Sequence, residues 1–285
     1  MVIDKIGKFT VLGTLGSGAH SNILHVRRAE DDREYALKLV PIESKEDMKF
    51  LEQAKHEFRV GQMLNHPNLV KVYAFETETG WFSGPKKAKL LIEYVPGKTM
   101  DRLPLQRMAK LLRICERIAD GLMHMHKQGV FHADMKPNNL ILERGTRVKV
   151  LDYGLAWIKG EPKDRVQGTP EYMAPETVSH KLVNERTDIY NLGATMYRLV
   201  TLQNTPNWVS PADGLPMTGK VFKEQLKPVK VANPVVPEGF ADLIHACIQP
   251  NAVMRPERMS QVQGTLDQLA DEAAAKLDDP GVLDE

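Results

Sequence analysis

At Val95, Pro96 and Gly97 the hydrophobic period of the chain changes. Before them, apolar residues come in short β-branched runs: FTVLGTLGSG, SNILHVRRA and EYALKLVP, separated by glycines or by the charged turn Glu30, Asp31, Asp32, Arg33. One helical segment interrupts these runs over 44–64. Ser44 is its N-cap, Glu46 and Asp47 fill the first turn, and Asn65, His66 and Pro67 end it. LVKVYAFE and AKLLIEYV complete the set, and the turn-rich TETGWFSGPKK between them reads as an exposed hairpin loop. After Gly97 apolar positions recur at helical spacing over 105–128, with Gly129 as the stop. Two short strands follow, LILE and VKVLD. Helices resume over 188–202 and from 240 to about 269, with a proline-rich connection over 206–237. The pattern predicts an α+β chain. A small antiparallel sheet with one main helix occupies 1–95, a larger and mostly helical part occupies 96–270, and an acidic tail over 271–285 is expected to fray.

Composition narrows the partners. Lys+Arg 38 against Asp+Glu 37 leaves a net charge of +1, which offers no case for nucleic acid or an anionic membrane surface as the main partner. The 42% hydrophobic and 26% charged fractions exclude disordered and low-complexity classes, and 285 residues bury a core without staples. Cys115 and Cys247 lie in apolar helical surroundings, too far apart for a thiolate metal motif, so two buried reduced thiols are expected. MVIDKIGKF lacks the apolar run of a signal peptide, and no stretch of about 18 apolar residues occurs. A soluble cytoplasmic protein without membrane insertion is the expectation.

Three clusters carry chemistry. Leu15, Gly16, Ser17, Gly18, Ala19, His20 and Ser21 lie between the first two strands; glycines there let backbone N–H groups approach phosphate oxygens, and the same pattern also suits a structural hairpin turn. Lys38 stands mid-strand, 20 residues after Gly18, with Glu57 on the following helix as a candidate partner. The strongest cluster is His132, Ala133, Asp134, Met135, Lys136, Pro137, Asn138, Asn139, followed 13 residues after Asn139 by Asp152, Tyr153, Gly154. A carboxylate able to accept a hydroxyl proton, a lysine two residues on, and an amide plus a carboxylate as hard oxygen ligands suit magnesium-assisted phosphoryl transfer.

With these elements in this order, and with Gly168, Thr169, Pro170, Glu171, Tyr172, Met173, Ala174, Pro175, Glu176, then Asp188, Gly193 and Arg255, the sequence resembles the eukaryotic-type protein kinase family over about residues 9–269. The resemblance implies a bilobal kinase-like fold and an ATP-dependent serine/threonine protein kinase using Mg²⁺. It implies that Lys38 contacts the α- and β-phosphates of ATP and pairs with Glu57. Asp134 orients the substrate hydroxyl and accepts its proton, Lys136 stabilises charge on the γ-phosphate, and Asn139 and Asp152 hold Mg²⁺. Ile23 and Ala36 cover the adenine from one side and Ile141 from the other; Ile92 is the gatekeeper, and the backbones of Glu93 and Val95 bond the adenine edge. Glu176 with Arg255, and Asp188 beneath the catalytic loop, are architectural. Lys136 and Thr169 resemble the serine/threonine branch, with the Thr169 hydroxyl bridging Asp134 and Lys136.

Four departures from the family carry expectations. Ala133 stands where the family usually has an arginine that binds a phosphorylated activation-loop residue, and 155–168 contains no Ser, Thr or Tyr, so activity is expected without loop phosphorylation. Tyr153 replaces phenylalanine and brings a hydroxyl that needs a partner. Gly61, four residues after Glu57, replaces a bulky apolar residue and is expected to leave its helix loosely held, open to a regulatory partner. Thr99 and Asn138 stand where basic-directed kinases often carry acids, so an arginine-directed preference is not supported. A non-catalytic interaction module would have lost Lys38, Asp134 or Asp152, and a small-molecule phosphotransferase would lack the segment 168–176; all are present.

Overall fold

The computed structural model describes residues 5–18, 20–80, 84–162, 167–180, 182–208 and 217–277. Contacts divide the chain into two compact units, Met1–Pro96 with Asp152–Gly154, and Gly97–Leu151 with Leu155–Glu285. The make-up of each unit is the one the resemblance implies, strand-rich with one long helix in the first and mostly helical in the second.

The first unit is a six-stranded antiparallel sheet with one long helix. Its strands are β1 (Lys5–Ile6), β2 (Phe9–Gly18), β3 (Ser21–Arg28) and β4 (Glu34–Pro41); then come α1 (Met48–Met63), β5 (Val72–Gly80) and β6 (Gly84–Glu93), in the sheet order β1-β2-β3-β4-β6-β5. Strand alternation separates two faces. Leu37 and Leu91 join Phe9, Val26 and Tyr35 in a buried apolar cluster on one of them. Register pairs Ile23 with Lys38 and Ala36 with Ile92, which places these four on the opposite face. Helix α1 starts behind a capping box, in which Ser44 and Asp47 satisfy each other's first-turn groups. The stretch expected to be a loop over 77–87 is instead mostly ladder: Thr77 pairs with Ala88, Glu78 with Lys87 and Thr79 with Pro85. A cross-strand ion pair between Lys89 and Glu78 supports this extension, which turn-forming residues alone conceal.

The second unit begins with β7 (Lys98–Thr99) and α2 (Met108–Lys127). Short strands β8 (Val130–Phe131), β9 (Leu140–Leu142), β10 (Val148–Val150) and β11 (Trp157–Ile158) follow, and helices α3 (Pro175–His180), α4 (Glu185–Thr201), α5 (Gly219–Gln225), α6 (Val229–Ala232), α7 (Glu238–Cys247) and α8 (Met259–Leu277) complete it. Strands β10, β9 and β7 form one small sheet, and β11 pairs with β8. Gly97 lies so close to the Leu142 carbonyl that a Cβ would stand 2.3 Å from its oxygen, so no larger residue fits there. Buried Leu112, Ile114, Cys115, Ile118 and Leu122 line the core side of α2, the leucines and isoleucines each contributing on the order of 2 kcal/mol of apolar burial. Helix α4 is buried along nearly its whole length and is started by the Asn184 side chain, which accepts from the N–H groups of Arg186 and Thr187.

Two sequence expectations change here. The proline-rich connection holds two short helices, α5 and α6, each placed directly after a residue suited to the N-cap or first turn (Thr218 and Pro228). The last helix runs to Leu277 and takes in the first part of the expected frayed tail. Ala273, Ala274 and Ala275 are strong helix formers, and Arg113 on α2 bonds both Asp267 and Asp271. No helix among the described residues is long and apolar enough to cross a membrane. Both cysteines are buried, and burial pushes each thiol up to about 12, as expected for inert structural thiols.

Candidate active site

In the first unit, Lys38 projects from β4 and its Nζ donates to Glu57 Oε2 at 2.6 Å; Asp152 Oδ1 lies 3.8 Å away. Burial alone would lower the lysine pKa, but the carboxylates of Glu57 and Asp152 outweigh it and hold the group above the ordinary lysine range. Lys38 is therefore a fixed cation aimed by two acids.

From the sequence, Gly61 is expected to leave α1, which carries Glu57, loosely held. The structure shows the pair made and gives Gly61 a use. A Cβ at this position would lie 2.5 Å from Val72 Cγ2, so the missing side chain is the space Val72 fills. Gln62 adds a bond from its Nε2 to the Val72 carbonyl at 2.6 Å. Helix α1 thus rests on β5 by close approach in place of a bulky side chain. Tyr153 finds the partner its hydroxyl needs, donating to the Val70 carbonyl at 2.9 Å with its ring fully buried.

The glycine-rich segment occupies the end of β2 and the start of β3: Gly16 pairs with Ile23, Ser17 with Asn22 and Gly18 with Ser21, while Leu15 is exposed. Ala19 lies outside the described residues. His20 stacks on the Phe50 ring of α1, with centroids 3.7 Å apart, so its side chain is engaged by that helix. Glu93 commits its backbone N–H to the Lys71 carbonyl at 2.8 Å, and Val95 is buried.

In the second unit, Asp134 is buried and tightly held. Its Oδ1 accepts the N–H of Thr169 at 3.0 Å and the Thr169 hydroxyl at 2.8 Å; its Oδ2 accepts Lys136 Nζ at 2.7 Å. Lys136 also donates to Thr169 Oγ1 at 2.6 Å, which completes the bridge expected from the sequence. Asn139 donates its Nδ2 to the Asp134 carbonyl at 2.8 Å, so Oδ1 is the atom it can offer to a cation. Ile141 sits on β9 opposite Thr99 of β7. Beneath the loop, Asp188 accepts the N–H groups of His132 (2.9 Å) and Ala133 (2.8 Å). Ala133 and, in the first unit, Asp152 adopt left-handed backbone conformations (φ 63° and 62°) that residues with side chains rarely take and that concentrate at functional loops. Arg255 meets both oxygens of Glu176, at 2.8 and 2.9 Å, in a buried architectural pair.

Two contributors escaped the sequence reading. His126 Nε2 lies 2.7 Å from Asp188 Oδ2, backing the carboxylate that holds the loop. Trp157 stacks on Phe131 with centroids 5.8 Å apart, beside buried Ala133 and Val183. Neither residue stands out in sequence, because each acts on a partner brought near only by folding.

A model of the protein kinase domain matches residues 9–265. The chain belongs to the protein kinase domain family. Curated relatives include the serine/threonine-protein kinase PrkC of Bacillus subtilis, 27% identical over 86% of this chain and 38% of that protein. The CBL-interacting protein kinase 8 of Oryza sativa is 28% identical over 87% of this chain and 55% of its own length. A probable serine/threonine-protein kinase of Streptomyces coelicolor is 28% identical over 85% and 37% respectively. The kinase domain described here thus spans less than two thirds of each of these relatives.

The family implies ATP and a divalent metal, usually Mg²⁺. Taken unit by unit, the donor chemistry fits such a metal. Asp152 is a half-exposed carboxylate and Asn139 offers an amide oxygen, both hard ligands. Among the described residues no group of three or more His, Cys, Asp or Glu forms a metal cage. Mg²⁺ is commonly held by one or two protein oxygens with substrate phosphates and water supplying the rest.

Proposed function

We propose that this kinase domain transfers the γ-phosphate of Mg-ATP to serine and threonine hydroxyls of protein substrates, and that it does so without phosphorylation of its activation segment. The observation that carries the first statement is the grip of Lys136 and Thr169 on Asp134. A carboxylate held this way is aimed to accept the acceptor hydroxyl's proton as its oxygen attacks the γ-phosphorus, while the bond to the β,γ-bridging oxygen breaks and ADP leaves. Lys136 neutralises charge on the transferring group, and Lys38, aimed by Glu57, neutralises the α- and β-phosphates. Ile23, Ala36, Ile92 and Ile141 offer apolar cover for the adenine, and the backbones of Glu93 and Val95 its polar edge. Asp152 of the first unit and Asn139 of the second would each offer an oxygen to the metal, which would supply shielding of phosphate charge. The relatives PrkC and the Streptomyces coelicolor protein, a serine/threonine-protein kinase and a probable one, favour the same acceptor class.

The second statement is supported by what surrounds Ala133. No guanidinium stands there to receive a phosphate. Phe131, Ala133 and Val183 form a buried apolar cluster on which Trp157 packs, and β11 pairs with β8 through Trp157 with Phe131 and Ile158 with Val130. Apolar packing and two strand residues thus tether the start of the activation segment. A phosphate group beside this cluster would be desolvated without a partner.

The test is transfer of labelled phosphate from Mg-ATP to a generic protein acceptor, before and after phosphatase treatment of the enzyme, with phosphoamino acid analysis. Phosphoserine or phosphothreonine at an unchanged rate after phosphatase is expected. Phosphotyrosine alone, or no transfer, contradicts the first statement; activity lost with phosphatase contradicts the second.

A further inference from the structure

Asn191 of α4 is buried, with 1% of its surface exposed, and its amide is only half satisfied. Nδ2 donates to the Tyr172 carbonyl, whereas Oδ1 has no hydrogen-bond partner among the described residues. Turning the amide over does not help, because the Tyr172 carbonyl can accept only from the nitrogen. A buried acceptor left unpaired is costly, and alanine or leucine at this position would avoid that cost. The asparagine therefore keeps a donor aimed at Tyr172 although its own oxygen goes without one.

Tyr172 is one link from the catalytic carboxylate. Its N–H donates to the Thr169 carbonyl at 2.9 Å, and Thr169 gives Asp134 Oδ1 both its N–H, at 3.0 Å, and its hydroxyl, at 2.8 Å. Hydrogen bonds thus run from α4 to Asp134 by way of the turn Pro170–Tyr172. The same turn is held a second time, by the Thr205 hydroxyl on the Glu171 carbonyl at 2.8 Å. On its other side Thr169 follows Gly168, whose φ of 140° is a conformation that residues with a Cβ rarely adopt, so the backbone there offers little stiffness. Asp188, three residues before Asn191 and on the same face of α4, holds the catalytic loop through His132 and Ala133. One helix therefore fixes both the loop that carries Asp134 and the turn that steadies it.

We propose that Asn191 is a positioning residue for phosphoryl transfer: by holding Tyr172 it keeps Thr169 on Asp134 in the geometry the reaction needs, with Thr205 in support. The inference rests on the reading of Asp134 as the base that accepts the acceptor hydroxyl's proton. The turn is then ordered by bonds the chain makes itself, which suits an enzyme that works without a phosphate on its activation segment. Asn191 acts through two intervening residues, so its effect falls on the rate of transfer and not on nucleotide affinity. Misplacing a reacting group by about 1 Å costs about 10²-fold in rate, and loss of one of two anchors is expected to cost about 10–50-fold in kcat.

The experiment measures phosphate transfer from Mg-ATP to a generic protein acceptor in the wild type, Asn191→Leu, Asn191→Ala and Thr205→Val, with the thermal midpoint and amide hydrogen exchange over 168–173. Leucine matches the amide in size and removes the unpaired oxygen along with the donor; alanine does the same where leucine strains the fold. Either variant should lose about 10–50-fold in kcat, with KM for ATP within about twofold and the midpoint within about 3 °C of the wild type. Exchange at Thr169 should quicken. Thr205→Val should lose about fivefold in kcat. Action through Thr169 requires non-additive losses, so adding Asn191→Leu to Thr169→Val should lower kcat by less than about threefold. A kcat within about twofold of the wild type in both Asn191 variants, or full additivity with Thr169→Val, overturns the proposal and leaves the kinase reading intact. Failure of both Asn191 variants to fold makes the residue structural and overturns the proposal in the same way. No transfer by the wild type overturns the kinase reading and the proposal with it.

Discussion

Asp134 and Asp188 are both buried carboxylates of the second unit, and their donors differ in kind. Asp188 is fixed by the backbone N–H groups of His132 and Ala133 and by the His126 ring. Asp134 takes the Thr169 hydroxyl and the Lys136 ammonium, both on side chains that can swing to a substrate, together with the Thr169 N–H. Backbone donors build a loop; movable side-chain donors hold a group that must exchange partners during a reaction. The contrast predicts that substitutions around Asp188 act on stability and that those at Asp134 act on rate.

The largest stability effect is expected at Asp188 itself. Asp188→Ala strips the catalytic loop of its anchor, leaves two buried N–H groups unpaired and takes from the His126 imidazole its nearer carboxylate, a loss of about 3–5 kcal/mol in urea unfolding. A loss below about 1 kcal/mol would break the comparison.

His126 sharpens it through pH. Burial would lower the imidazole pKa, but the hydrogen bond to Asp188 and the Glu185 carboxylate 3.5 Å away overcome that and push it up to about 9 from 6.5. The folded state therefore holds this proton more tightly than the unfolded chain. The stabilisation is complete below pH 6.5 and is lost as pH rises through about 9, an effect of roughly 3 kcal/mol. Unfolding midpoints of the wild type should fall across that window more steeply than those of His126→Gln. Parallel profiles would show that the imidazole carries no charge in the fold.

In the first unit the tests are of packing. Gly61→Ala places a Cβ 2.5 Å from Val72 Cγ2 and should cost about 1–3 kcal/mol, with a weaker nucleotide affinity as Glu57 is displaced from Lys38. Gly61→Ala combined with Val72→Ala should regain part of the nucleotide affinity, since the clash is removed. Tyr153→Phe removes one buried hydrogen bond to Val70 and should cost about 1 kcal/mol. Equal stability of Tyr153→Phe and wild type would remove this bond from the account of how the first unit is held.

Much of the candidate site was legible because its residues sit at fixed local spacings. Asp134, Lys136 and Asn139 lie within one loop, and their partners are each other or Thr169. The strands β2, β3 and β4 were equally plain, since alternation and glycine punctuation are local properties. What stayed hidden depended on distant partners. Turn-rich 77–87 continues as strand only because β5 and β6 face each other there. The tail joins α8 because Arg113, far away in sequence, binds Asp271. Gly61 read alone predicts looseness; beside Val72 it is a fitted contact. The side chain of His20, a member of the glycine-rich segment, is stacked on Phe50, a pairing no spacing rule anticipates.

The division between a built carboxylate and a working one is tested most directly by Asp134→Asn, examined for phosphate transfer, nucleotide affinity and unfolding midpoint on one preparation. The account predicts transfer reduced by about 10²–10⁴-fold, with nucleotide affinity and midpoint close to those of the wild type. Transfer within about threefold of the wild type would contradict it, because the proton would then be leaving by a route that does not include Asp134.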